Sequence, residues 1–178
     1  KVTIQSDNPQ IDFMELEKIL FNIIGSSVVI DVCDTHAVIT LPEAKLETLI
    51  TEIRKQASHI RIMGRGGSIE IYKEIGLPET VVKRFKIRNM SGTHGIGHTR
   101  MATESAVTTM GAHPFNTGND QCLVHNGSLS NHNSLRRKLR REGILIETDN
   151  DTEVAAAYLT WKLQNGATLG SALQDSLN

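Results

Sequence analysis

The feature that most constrains how this chain can fold is the change of hydrophobic period along its first half. Ile11 to Ile24 carries Phe13, Leu16, Ile19, Leu20 and Ile23 at the spacing of one helix face, with Asp12 as a candidate N-cap and Gly25 as a stop. Val28 to Val32 is a dense β-branched run, and Ala37 to Leu41 is a second strand-like stretch across the turn Asp34-Thr35-His36. Pro42 stands where a helix begins, and Leu46, Leu49, Ile50 and Ile53 form the face of a helix ending near Ala57. Val2 to Ile4 reads as the end of a strand, and Pro78 opens a short helix through Phe85. Ile60 to Met63 and Ser68 to Tyr72 are two more strand candidates, joined by Gly64-Arg65-Gly66-Gly67. That glycine-rich stretch lacks the Gly-Lys-Ser/Thr ending of a phosphate-binding loop, so a hairpin turn is its expected role. Helices and strands alternate, and no functional constellation appears among them.

Composition narrows the function classes. The 178 residues suffice for one domain, or for a domain with an inserted subdomain. A net charge of −1 supplies no basic field, so no nucleic-acid partner is expected. No membrane partner is expected either: the longest apolar run, around Ile23-Ile24 and Val28-Val29-Ile30, is interrupted by Gly25, Ser26, Ser27 and Asp31. Cys33 and Cys122 are too few for a disulfide framework or a paired-Cys metal site, which makes a reducing, cytoplasmic setting the default.

The chemistry lies in the second half, in Gly95-Ile96-Gly97-His98-Thr99-Arg100-Met101-Ala102-Thr103, Ala112-His113-Pro114-Phe115, Leu123-Val124-His125-Asn126-Gly127 and Asn150-Asp151-Thr152-Glu153. A zwitterionic amino acid presents a carboxylate and an ammonium a few ångströms apart, so its site wants an Arg fork for one and a carboxylate for the other. Arg100 and Asp151 are the candidates, with the Thr103 hydroxyl as a second donor to the same ligand carboxylate. Asn126-Gly127 offers a side-chain amide beside an unhindered backbone N–H, a pairing suited to an oxyanion. Each alone has a plainer reading, as a surface or turn residue. Asn150 with Glu153 makes an N-cap pattern one residue before Asp151, in a helix expected to run to about Leu163 and to end at Asn165-Gly166. Asp151 then stands in the first turn, where the helix dipole favours an anion, and Asn150 already fills the cap.

His94 to Arg100 and Gln121 to His125 read as strands, and Leu169 to Leu177 as the start of a helix. Asn133 to Arg141 reads as a helix with Leu135 and Leu139 inward and Gly143 just past its end. Its Arg136, Arg137, Lys138, Arg140 and Arg141 are expected to form a solvated face. His94, His98, His113 and His125 invite a metal hypothesis, but none stands at the short paired spacing of a zinc site, and packing accounts for them. Cys122 near His125 suggests a thiol with a base, yet its place in an apolar strand favours an inert thiol.

In this order and spacing, Gly97-His98-Thr99-Arg100-Met101-Ala102-Thr103, Ala112-His113-Pro114, His125-Asn126-Gly127-Ser128-Leu129-Ser130-Asn131 and Asp151-Thr152-Glu153 resemble the class-II glutamine amidotransferases, the N-terminal-nucleophile family. Within it, the wording from Gly95 to Asn165 is most similar to the stand-alone amidotransferase subunit of glutamate-synthase-like or N-methylglutamate-synthase-like systems. The resemblance implies an α+β fold, the αββα sandwich in part. It also implies that Arg100 and Thr103 hold the glutamine α-carboxylate, that Asp151 holds the α-ammonium, and that Asn126 and Gly127 form the oxyanion hole. The family's nucleophile, a Cys at the mature N-terminus, has no counterpart in Lys1-Val2-Thr3, so the chain is expected to be a fragment cut at both ends and inactive alone. Residues 1–10 are expected to end an N-terminal strand region, 11–86 to be an inserted α+β subdomain, and 87–178 to be the amidotransferase core. The implied activity is hydrolysis of glutamine to glutamate with ammonia passed to a synthase partner. No cofactor or metal is expected on this chain. The alternative is a non-catalytic glutamine- or glutamate-binding module, or an interaction scaffold.

Overall fold

The computed structural model describes residues 1–25, 28–100 and 107–176. They divide into two compact units, the first Lys1–Tyr72 with Gly76–Gly92 and the second Lys73–Ile75 with Thr93–Asn178. The architecture is mixed α/β with one small antiparallel sheet. The Thr103 assignment lies outside the described residues, as do Ser26, Ser27 and the Leu177 end of the last helix.

The first unit is built on strand β1 (Val2–Gln5), helix α1 (Pro9–Ile24), strands β2 (Val29–Cys33) and β3 (His36–Thr40), helix α2 (Leu46–Gln56), strand β4 (Arg61–Arg65) and helix α3 (Pro78–Arg84). The sheet order is β2-β3-β1-β4. Pairing of Val2 with Ile39 and of Ile4 with Ala37 puts these four side chains on one face, where they bury against Phe13, Leu16 and Leu20 of α1 and Leu49, Ile50 and Ile53 of α2. The other face carries Gln5 opposite His36, and there the buried His36 ring meets Phe85 edge-on at 4.7 Å. Residues 1–10 therefore share a sheet and a core with the stretch that follows them.

Two local readings give way here. Helix α1 starts at Pro9, whose fixed φ suits the first helical position, rather than at an Asp12 cap. Asp12 is buried inside the first turn, where its carboxylate accepts from the Ser6 hydroxyl and lies 3.3 Å from His59 Nε2. The expected hairpin across residues 64–67 is also absent: β4 pairs with β1, far away in sequence, and Ser68–Tyr72 forms no strand. Instead the Ile71 N–H donates to Thr3 Oγ1, and the Ile71 side chain lies over Gly64, where an added Cβ would come within 2.8 Å of it. That close approach, rather than a turn, favours glycine at position 64, since a side chain there would displace the buried Ile71.

The second unit holds helices α4 (His132–Arg141), α5 (Asp151–Gln164) and α6 (Leu169–Asp175). Leu139, Ile146, Val154 and Ala157 form its apolar core, with Leu135, Tyr158 and Trp161 packed alongside. Gly143 takes φ 82° just beyond α4, in the left-handed region open to glycine at helix ends. The expected strands at 94–100 and 121–125 are not formed among the described residues. Their sole ladder element is the isolated bridge Phe115–Leu123, with both backbone hydrogen bonds at 2.9 Å. An alternating pattern marks residues able to line a sheet, but a strand also needs a neighbour to take its N–H and C=O groups.

Candidate functional site

The site is assembled at the N-terminal end of α5. Asn150 caps this helix, its Oδ1 accepting the Thr152 N–H at 2.8 Å. Glu153 does not reach back to the cap residue. Its buried carboxylate accepts instead from the Glu147 N–H at 2.7 Å, the Thr148 N–H at 2.6 Å and Thr148 Oγ1 at 2.6 Å, shaping the turn that leads into the helix. Arg136, expected in solvent, is buried. Its Nη1 donates to Asp149 Oδ1 at 2.9 Å and its Nη2 to the Asn150 carbonyl at 3.3 Å, so one arginine of the basic helix turns inward to hold the cap. A count of charges along α4 could not separate it from its neighbours.

Asp151 follows the cap. Its Oδ2 accepts the Leu129 N–H at 2.8 Å, which ties the end of the 125–129 segment to the start of α5. Asn126 and Gly127 lie on that segment and are exposed, with the backbone bending at Gly127. A Cβ added at Gly127 would lie 2.8 Å from His125 Nε2. Arg100 is exposed and its Nη1 donates to the Gly111 carbonyl at 3.2 Å. The same carbonyl accepts from Asn150 Nδ2 at 3.4 Å. One oxygen thus links the Arg100 guanidinium to the residue that caps α5, immediately before Asp151.

His98 and His113 form a histidine pair. His113 is buried, its Nε2 is 2.9 Å from Thr152 Oγ1, and its ring centroid is 4.3 Å from that of His98. Burial, followed by the nearby charges of His98, Arg100 and Lys73, pushes His113 down from 6.5 to about 4, with Asp151 opposing. The imidazole is therefore neutral at pH 7. No group of three or more His, Cys, Asp or Glu side chains is arranged to hold a metal ion among the described residues. Burial raises the Cys122 thiol, which stays protonated and poorly nucleophilic. Lys73, which sequence reasoning passed over, is also buried here and donates to three backbone carbonyls.

The segment carrying these groups falls within a family match. Residues 87–169 match the glutamine amidotransferase domain. The whole chain is 60% identical to the glutamine amidotransferase-like protein GlxB of Rhizobium meliloti, covering 59% of that protein. It is 36% identical over 161 residues to a Methanothermobacter thermautotrophicus protein provisionally described as a glutamine amidotransferase, covering 52% of it. Over 102 residues, 57% of this chain, it is 36% identical to the glutamine–fructose-6-phosphate aminotransferase (isomerizing) of Aliivibrio fischeri, covering 17% of that enzyme. The chain therefore spans between half and three-fifths of the first two relatives. No solved structure matches it. Arg100, His113, Asn126 and Asp151 all lie inside the glutamine amidotransferase match, and Lys73 lies outside it. No helix among the described residues is long and apolar enough to cross a membrane.

Proposed function

We propose that this chain carries the glutamine site of a class-II amidotransferase that hydrolyses glutamine to glutamate and hands the ammonia to a synthase partner. Arg100 and Thr103 take the α-carboxylate, Asp151 takes the α-ammonium, and Asn126 with the Gly127 N–H stabilises the oxyanion. The observation that carries the reading is the Gly111 carbonyl, which accepts from both Arg100 and Asn150 and so brings a fixed cation to the helix end that bears Asp151. Asp151 Oδ2 accepts the Leu129 N–H at 2.8 Å and its Oδ1 accepts from Thr152 Oγ1 at 3.5 Å, a long bond that leaves lone pairs on Oδ1 for an ammonium.

In the proposed mechanism a thiolate attacks the side-chain carbonyl of glutamine, ammonia leaves, and water hydrolyses the thioester. The proposal assigns the thiolate to a terminal Cys of the intact protein; burial raises the Cys33 and Cys122 thiols and so disfavours their thiolates. Their free thiols also suit the reducing cytoplasm that we propose as the setting. The proposal extends to the αββα sandwich for the whole domain, to residues 11–86 as an inserted subdomain, and to a glutamate-synthase-like or N-methylglutamate-synthase-like partner. Glutaminase activity of the intact protein tests the oxyanion assignment. Asn126→Ala should lower turnover by roughly a hundredfold or more, and near-wild-type turnover would discard the assignment.

A second reading is compatible with the raised thiols, in which the chain recognises glutamine or glutamate without catalysis. It keeps Arg100, Thr103 and Asp151 as ligand contacts and predicts binding without glutamate release from the intact protein.

A further inference from the structure

Lys73 belongs to the second unit, in the three-residue segment Lys73–Ile75. It is 6% exposed. Its Nζ donates to the carbonyls of Met110 at 3.2 Å, Ala112 at 3.0 Å and Pro114 at 3.3 Å, and stands 4.6 Å from the centre of the Phe115 ring. Three acceptors and an aromatic face converging on one nitrogen make a seat for an ammonium. Burial draws Lys73 down to about 8, with Glu153 and Glu147 opposing, so the cation persists at neutral pH. The next residue grips the same loop, for Thr109 Oγ1 donates to Glu74 Oε1 at 2.8 Å.

Residues 109–114 form neither helix nor strand, so side-chain and turn hydrogen bonds supply much of what fixes the loop. Lys73 and Glu74 bind it at 109, 110, 112 and 114. Inside that span sits Gly111, whose carbonyl receives Arg100 and Asn150. We propose that Lys73 and Glu74 are positioning residues for ligand recognition: by pinning the 109–114 loop they set the Gly111 carbonyl, and through it the guanidinium that takes the ligand carboxylate. Neither residue touches the ligand. The inference rests on the glutamine-site reading above. It adds to that site two residues that the 87–169 match does not include.

The experiment measures glutamine binding by calorimetry, the glutaminase kcat and KM, and the thermal midpoint, in the full-length protein and its Lys73→Met and Thr109→Val variants. Because small displacements of a binding group are costly, Lys73→Met should weaken binding and raise KM by about tenfold while kcat changes much less. Thr109→Val removes only the hydroxyl that meets Glu74 and should move KM the same way by a smaller factor. It decides the matter if Lys73→Met does not fold. Wild-type protein that binds glutamine, with variants that bind equally well or lose kcat at constant KM, would overturn the positioning role and leave the site reading intact. Wild-type protein that does not bind glutamine would overturn both.

Discussion

At the scale of single residues, the site is defined by what its buried groups do to one another. His113 is the clearest case, since burial first, and then the nearness of His98, Arg100 and Lys73, oppose its protonation. A histidine held down from 6.5 to about 4 is neutral in the native state while its unfolded counterpart takes up a proton, so protons favour unfolding between those two values. Its contribution is fully present above about 6.5 and is lost as the pH falls toward about 4. Denaturant titrations across that range should show stability falling on acidification. The fall should be smaller in His113→Gln, and an identical slope in both proteins would remove His113 as its source. The proposed roles of Arg100 and Asp151 rest on residue type, because a cation and a carboxylate in ordered motifs suit a zwitterion. The inward Arg136 and the buried Lys73 were not legible in the sequence, because long basic side chains read as surface until their acceptors are known.

At the scale of elements, the helices were legible and the strands less so. Helix α2 and helix α5 carry their own periodicity and punctuation: Leu46, Leu49, Ile50 and Ile53 mark one buried face, and Asn150 and Gly166 bracket the other helix. Strand pairing depends on partners that local pattern cannot name. Thus β4 joins β1 across about sixty residues instead of folding back on Ser68–Tyr72, and alternation at 94–100 finds no ladder among the described residues. The turn before α5 shows how an element is held by one buried acceptor. Glu153→Ala would leave the Glu147 and Thr148 amides and the Thr148 hydroxyl without their acceptor, at a cost of about 2–4 kcal/mol. A thermal midpoint lowered by several degrees is the expected outcome, and an unchanged midpoint would show that solvent satisfies these donors equally well.

At the scale of the whole molecule, two compact units carry unequal parts of the account. The first has a sheet with a helix-covered face and a core of its own. The second has the α4–α5 core and residues 93–169 of the glutamine amidotransferase match. The chain spans between half and three-fifths of the length of the first two relatives, so the proposed ammonia transfer is a property to be tested on the intact protein. The proposed ligand contacts come from short sequence motifs, each readable by itself. The hold on the 109–114 loop was not readable there, because residues 73 and 74 meet residues 109–114 only after folding.

The most direct test is calorimetric titration of the intact protein with L-glutamine, alongside Arg100→Ala and Asp151→Asn. Saturable binding by the wild type is the expected result. Affinity in each variant should be at least about tenfold weaker, as expected for loss of a charge-assisted partner, with thermal midpoints close to the parent. Wild-type affinity in both variants, or no binding by the parent protein, would contradict the assignment of the glutamine site to the N-terminal end of α5.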